Sequence, residues 1–235
     1  RAREVLSHVF LPNIDQESIP EMLALTAKAP DFFFPMMGLH PSHVKADYKE
    51  VLAGIEAEWD KGTYYGVGET GLDFYWDKTY VTEQKASLRL HIEWAKAKQL
   101  PLILHCRESM EEVIELVSEG QDGRLRGIFH CFTRTREQAA QIHDLGFVMG
   151  IGGVLTYKNS GLPETLKEVP LEHLVLETDS PYLPPVPYRG KRNESSYIPK
   201  IARKLAEVKD LPIAEIDKIT SENALKIFAI PPDSK

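Results

Sequence analysis

The sequence predicts an α/β protein, a (β/α)8 barrel of the TIM type, on three observations. Short apolar segments rich in β-branched and aromatic residues alternate with amphipathic stretches of about ten residues or more. This alternation favours parallel strands joined by helical crossovers. The length of 235 residues suits one barrel domain. Finally, a histidine or a carboxylate closes five of the apolar segments.

Seven apolar segments are predicted as strands. In chain order they are 8–14, 32–39, 63–67, 101–104, 127–129, 147–151 and 174–176. The amphipathic stretches are predicted as helices, at about 17–28, 48–59, 82–98, 110–117, 138–145, 196–208 and 213–228. The segment 184–195, rich in Pro, Arg and Lys, is predicted as a loop after the last strand.

Seven strand–helix units are one fewer than a complete barrel of this type has. The chain opens on a helix-like segment, Arg1 to Val5, so we expect the first strand to precede Arg1. We therefore predict a single barrel domain over residues 1–235, incomplete at its N-terminus. A doubly wound open sheet is the alternative, but the sequence lacks the Gly-rich dinucleotide-binding motif of that architecture.

Composition and charge restrict the class of protein. The net charge of −7 argues against a broad basic surface for nucleic acid. It does not exclude a nucleic-acid enzyme in which metal ions and a few local cations meet the phosphate. With only two cysteines and no apolar run near the ~18 residues of a membrane span, we expect a cytoplasmic protein without membrane contact. No obligate protein partner is evident.

The five polar residues at the strand ends are the candidate functional site. They are His40, Glu69, His105, His130 and Asp179. Taken alone, each would more often be a satisfied core residue or a helix cap. In a parallel barrel, however, strand ends on one face form the active site, so we expect these five side chains to converge. Imidazole with carboxylate suits Zn, Mn, Fe or Ni.

This set of residues supports hydrolysis by a metal-activated water molecule. Glu69, flanked by Gly68 and Gly71, is suited to bridge two metal ions. Asp179 is the candidate for metal ligand and general base together. Basic residues near the strand ends could bind phosphate, although a short charged run is more often a solvated loop. They are Arg107, Arg134, Arg189, Lys191 and Arg192.

Six short motifs follow one another between about residues 13 and 228. They are GLHP at 38–41, GETGLD at 68–73, HCR at 105–107, HCF at 130–132, ETDSPYL at 177–183 and EN at 222–223. As a set, they closely resemble the TatD family of metal-dependent deoxyribonucleases. The family also has an Asp-x-His-x-His motif on its first strand, which we expect before Arg1.

The resemblance implies a TIM barrel of the metallo-dependent hydrolase superfamily that cleaves DNA phosphodiesters, as a 3′–5′ exonuclease in some members. It implies divalent metal ions, Mg, Mn or Zn, two in the intact protein. By this analogy the metal ligands are Glu69, His105, His130 and Asp179. His40 would lie near the substrate phosphate, and the segment 192–194 would match the family's loop after the last strand.

The sequence thus predicts a metal-dependent deoxyribonuclease with Asp179 and Glu69 as catalytic residues and DNA as substrate. The predicted phosphate-binding residues are His40, Arg107, Arg192 and Asn193. One alternative uses the same site on another substrate, an aminoacyl-tRNA ester or a small amide. The other is a barrel that binds nucleic acid or a protein partner without turnover.

Overall fold

The computed structural model describes residues 1–231. Its internal contacts divide the chain into two compact units. The first unit is His8–Ile128, and the second combines Arg1–Ser7 with the chain from Phe129 onward. None of the helices in the described part of the chain is long and apolar enough to cross a membrane.

The first unit alternates strands with helices. Its elements are β1 (Val9–Pro12), α1 (Ile19–Lys28), β2 (Phe33–Met36), α2 (Tyr48–Glu56), β3 (Val67–Asp73), α3 (Val81–Lys98), β4 (Leu102–Arg107) and α4 (Met110–Gly120). Strand β5 (Gly127–Phe129) follows α4 in the sequence. β1 pairs with β2 and β3 pairs with β4, both in parallel.

The second unit continues the same alternation. Its elements are α5 (Arg136–Asp144), β6 (Phe147–Ile151), α6 (Leu162–Glu168), β7 (Leu174–Leu176), α7 (Ile198–Lys209) and α8 (Ile213–Ile227). β6 and β7 pair in parallel, with Gly150 opposite Val175. Helix α5 begins with a capping box, in which the Thr135 side chain accepts from the Gln138 backbone N–H and the Gln138 side chain returns the bond.

The strands carry much of the apolar core. All seven residues of β3 and all five of β6 are buried. Strands covered on both faces are expected in a parallel α/β architecture, where helices pack on the sheet. Amphipathic helices supply the other layer; α4, for example, buries Val113, Leu116 and Val117 on one side.

The structure has a strand at or next to each of the seven predicted positions. The third was placed wrongly, at 63–67, whereas β3 runs from Val67 to Asp73. Glycines often mark turns, so the sequence pattern places the end of the strand before Gly68. In the structure, Gly68 and Gly71 lie inside β3 with φ of +139°. A Cβ atom on Gly71 would lie 2.0 Å from the carbonyl oxygen of His105, so glycine permits the strands to approach closely.

Each of the seven predicted helices is present, but α6 was not predicted. It has only seven residues and carries Pro163 in its first turn. A segment this short gives too few apolar repeats for periodicity to reveal a helix.

Candidate metal centre

Three side chains of the first unit bring imidazole and carboxylate groups together. Donor atoms of His40, Glu69 and His105 all lie within 4.8 Å of one another. Glu69 Oε1 lies 3.3 Å from His40 Nε2 and 3.1 Å from His105 Nδ1. The two imidazole rings stand edge to face with centroids 4.4 Å apart. Three of the five residues predicted to converge therefore do so within this unit.

The backbone explains how these three side chains meet. His40 follows β2 and opens a short 3-10 turn, Pro41–His43. Glu69 lies within β3, and His105 lies near the end of β4. The parallel register of β3 and β4 places Gly71 opposite His105, so Glu69 is two residues from the position beside His105. Alternate strand residues share a face, which directs Glu69 and Asp73 the same way.

Asp73 is a site residue that the sequence reasoning missed. Its Oδ2 lies 3.0 Å from His105 Nε2, so the imidazole of His105 lies between two carboxylates. Its Oδ1 accepts a hydrogen bond from the Tyr75 backbone N–H at 2.9 Å. Burial raises the pKa of Asp73, but the hydrogen bonds from His105 and Tyr75 outweigh burial and hold that pKa below its usual value. The period-two spacing from Glu69 was the signal that could have identified it.

The orientation of His40 is fixed by its own turn. Its Nδ1 accepts a hydrogen bond from the Ser42 backbone N–H at 3.1 Å. A neutral imidazole has one protonated nitrogen, so His40 carries its proton on Nε2 in this arrangement. The nitrogen that faces Glu69 is therefore a hydrogen-bond donor.

A buried histidine of α3 supports the segment that carries His40. His91 is fully buried, and its Nε2 accepts a hydrogen bond from the Leu39 backbone N–H at 3.0 Å. Its Nδ1 lies 2.7 Å from the carbonyl oxygen of Ser87, to which it donates. Burial lowers the pKa of His91 to about 4. No sequence motif marks this residue, which lies inside an ordinary amphipathic helix.

In the second unit, His130 lies beside the carboxylate of Glu177. Glu177 belongs to the motif ETDSPYL, but it was not predicted as a site residue. His130 Nδ1 is 3.5 Å from Glu177 Oε1, which also accepts from the Cys131 backbone N–H at 2.9 Å. A Cβ atom on Gly150 would lie 2.4 Å from Glu177 Oε2, so β6 has space for this carboxylate only because position 150 is glycine. The position of Glu177 directly after the apolar strand β7 was the sequence pattern that could have identified it as a site residue.

Asp179 lies in the loop that follows β7, in a left-handed backbone conformation with φ of 54°. Asn193 holds this loop from both sides of Asp179. Its side-chain amide donates to the carbonyl oxygens of Thr178 at 2.5 Å and Tyr182 at 2.6 Å. Asn193 is 2% exposed, and its Oδ1 accepts from the Glu194 N–H. These contacts show that Asn193 positions the loop. The predicted contact between Asn193 and phosphate stays a prediction.

The two arginines predicted as phosphate-binding residues, Arg107 and Arg192, lie at the surface. Arg192 is exposed in the loop before α7. Arg107, the last residue of β4, is exposed with its guanidinium group over the ring of Tyr75. The two cysteines, Cys106 and Cys131, are free thiols of intermediate burial. The predicted roles of His130, Asp179 and the arginines stay predictions.

Parallel strands that carry clustered imidazole and carboxylate groups define this chain as an α/β protein with a candidate metal centre. A family model described as TatD related DNase matches residues 1–229. The chain therefore belongs to the TatD-related DNase family, as the sequence motifs predicted.

Curated relatives agree with this assignment. The chain is 36% identical over 228 residues to the uncharacterized metal-dependent hydrolase YabD of Bacillus subtilis, covering 97% of this chain and 89% of that protein. It is 33% identical over 237 residues to the 3′-5′ ssDNA/RNA exonuclease TatD of a Rahnella strain, covering 98% of this chain and 90% of that protein.

A solved structure resembles the whole chain. The crystal structure of YJJV, a TatD homologue from Escherichia coli K12, superposes with a TM-score of 0.89 at 26% identity. The match covers 96% of this chain and 88% of that one. The predicted α/β fold of the TIM type is thereby confirmed.

Proposed function

We propose that this chain is a metal-dependent hydrolase that cleaves DNA phosphodiester bonds. The observation that carries the proposal is the cluster of His40, Glu69 and His105, whose donor atoms lie within 4.8 Å of one another. The names of the relatives, metal-dependent hydrolase and 3′-5′ ssDNA/RNA exonuclease, support the same chemistry.

The residues of the cluster fit a divalent metal ion. A carboxylate with imidazoles is a ligand set that Zn and Mn accept, and a carboxylate with water suits Mg. We propose that Glu69 and His105 bind the ion, that His130 and Asp179 are also metal ligands, and that the protein binds two ions. A divalent ion bound there supplies a Lewis acid for the phosphate and lowers the pKa of water.

Asp73 positions His105 in this proposal. A metal-binding histidine usually donates its second ring N–H to a carboxylate, which fixes the tautomer and the ring orientation. Asp73 Oδ2, 3.0 Å from His105 Nε2, is placed to accept that hydrogen bond. His105 Nδ1, the nitrogen that faces Glu69, is then left as the ligand atom.

The remaining residues bind substrate and move the proton. His40 presents Nε2–H, so we propose that it donates a hydrogen bond to a phosphate oxygen of the substrate. Arg107 and Arg192 are exposed guanidinium groups suited to bind the flanking phosphates. Asn193 contributes to phosphate binding indirectly, because its side chain holds the loop that contains Asp179. Asp179, held in that loop, is the proposed general base.

The test replaces Glu69 by glutamine, which keeps the shape of the side chain and removes its charge. Glu69→Gln is expected to lose bound metal and to lower the rate of DNA hydrolysis by about 100-fold or more. Metal content by mass spectrometry and cleavage of a labelled oligodeoxynucleotide measure the two effects. The matched control is Glu119→Gln, an exposed carboxylate paired with Arg89 at the surface.

If Glu69→Gln with added metal cleaved DNA as fast as the wild-type protein, the assignment of Glu69 to the metal site would be wrong. Wild-type protein that hydrolyses an aminoacyl ester and leaves DNA intact would favour the ester-hydrolase alternative.

A further inference from the structure

An exposed aromatic surface lies immediately after β3 in the first unit. Trp76 is 72% exposed and Tyr75 is 50% exposed. Trp76 is the most exposed large hydrophobic side chain among residues 1–231, whereas Trp59 and Trp94 are 7% and 5% exposed. A single exposed apolar residue needs no explanation, but two adjacent exposed aromatic rings form a patch.

A guanidinium group completes this surface. The Arg107 guanidinium carbon lies 3.9 Å from the Tyr75 ring centroid and 5.2 Å from that of Trp76. The two rings are perpendicular, at 89°, with centroids 4.7 Å apart. We call these three side chains the Tyr75–Trp76–Arg107 platform. It combines exposed π-faces with one positive charge, in a chain whose net charge is −7.

The backbone ties the platform to the candidate metal centre. The Tyr75 N–H donates to Asp73 Oδ1, while Asp73 Oδ2 lies 3.0 Å from His105. Arg107 is opposite Asp73 in the β3–β4 register, and its carbonyl oxygen accepts from the Phe74 N–H at 2.9 Å. The Asp73 carboxylate therefore contacts both His105 and the backbone of Tyr75, the first residue of the platform.

The chemistry of the platform selects one kind of ligand. Nucleobases stack on exposed aromatic side chains and on arginine, and every base offers a π-face, so stacking does not depend on sequence. The guanidinium group adds a cation for the adjoining phosphate. A base inside a duplex has both faces covered by its neighbours, so only an unpaired base can use this surface.

We propose that the platform stacks an unpaired base of the DNA strand beside the bond that is cleaved. This inference rests on the proposed function and extends it, because it makes an unpaired strand the preferred substrate. Trp76 and Tyr75 provide the stacking surface, and Arg107 provides the charge.

The first experiment measures binding without turnover, in the presence of EDTA. Trp76 is the exposed tryptophan, so acrylamide quenching of tryptophan fluorescence reports mainly on it. A short oligothymidylate is expected to protect the protein from quenching, and a fully paired, blunt-ended duplex is expected to protect it far less. Trp76→Ala should weaken binding of the single strand about 10-fold. Binding of the oligothymidylate without protection of Trp76, or equal protection by the duplex, would overturn the proposal.

The second experiment removes bases from the substrate. In wild-type protein, replacing the nucleotides next to the labelled bond by abasic residues should lower kcat/KM about 10-fold. In Trp76→Ala the same replacement should have little further effect, because the stacking contact is already lost. The matched control is Leu25→Ala, which removes a side chain that is 40% exposed on α1.

The two proposals fail in different ways. In one outcome, wild-type protein cleaves DNA while abasic residues lower kcat/KM equally in wild-type protein and in Trp76→Ala. In that case the platform does not stack a base, and the proposed function stands. If wild-type protein cleaves no phosphodiester, the proposed function is wrong, and the fluorescence measurement still decides whether the platform binds an unpaired strand.

Discussion

At the scale of single residues, His91 links the stability of the fold to pH. Its pKa is about 4 in the folded protein because burial disfavours the charged imidazole, against 6.5 for an exposed histidine. Between these values the unfolded chain binds more protons than the folded one. The free energy of unfolding therefore falls as pH drops from about 6.5 to about 4, by about 3 kcal/mol from this residue.

The measurement is urea unfolding at pH 7.5 and pH 5 for wild-type protein and His91→Gln. Glutamine keeps an acceptor for the Leu39 N–H but does not titrate. We expect the variant to be less stable at pH 7.5 and to lose less stability between the two pH values. An identical pH dependence in both proteins would show that His91 stays neutral in the unfolded state or is charged in the folded state.

Residues such as His91 and Asp73 also show where sequence reasoning stops. The motif residues His40, Glu69 and His105 could be identified because a charged or polar group ends an apolar segment, which is a local pattern. His91 acts through a hydrogen bond to a residue 52 positions away, and nothing local distinguishes it from a core histidine. Asp73 was within a recognised motif, but its role depends on a β3–β4 register that the sequence does not specify.

At the scale of elements, β3 depends on the absence of a side chain at position 71. Gly71→Ala would place a Cβ atom 2.0 Å from the His105 carbonyl oxygen at a φ of +139°. The change must push β3 from β4 at the point where Glu69 and Asp73 meet His105. We expect a loss of about 3 kcal/mol or more in the free energy of unfolding, measured in urea.

Gly123→Ala is the matched control for this change. Gly123 also has a positive φ, of +92°, but nothing lies within 4 Å of an added Cβ atom. Its substitution costs backbone strain alone, about 1–2 kcal/mol. A Gly71→Ala variant no less stable than Gly123→Ala would mean that β3 can shift without cost, contrary to the close packing described above.

At the scale of the whole molecule, a metal ion that binds only the native state must raise the stability of the fold. With free ion at about 100 times its dissociation constant, the gain is about 2.7 kcal/mol, or roughly 5–10 °C in Tm for a chain of this size. We expect Zn or Mn to raise Tm above the value in EDTA. Glu69→Gln should abolish most of this rise, whereas Glu119→Gln should keep it.

The fold class and family were predictable because they depend on patterns distributed over the whole chain. Seven apolar segments are separated by stretches long enough to form helices, and six motifs follow in the order of the family. Together these patterns leave little freedom for another architecture. The boundaries of β3 were not predictable, because Gly68 and Gly71 are equally typical of a turn and of close strand approach. The partner of His130 was missed for a similar reason, since Glu177 gains its role from a glycine on another strand.

The second unit is discontinuous in sequence, and this affects the order in which the chain can fold during synthesis. Arg1–Ser7 groups with residues after Phe129, and the Arg1 guanidinium group pairs with Glu194 at 2.6 Å, a separation of 193 residues. The first unit, His8–Ile128, is continuous, so all its internal contacts are available once it leaves the ribosome. The segment Arg1–Ser7 is made before the first unit but must wait for most of the second unit, so it is among the last parts of the described chain to reach its native contacts.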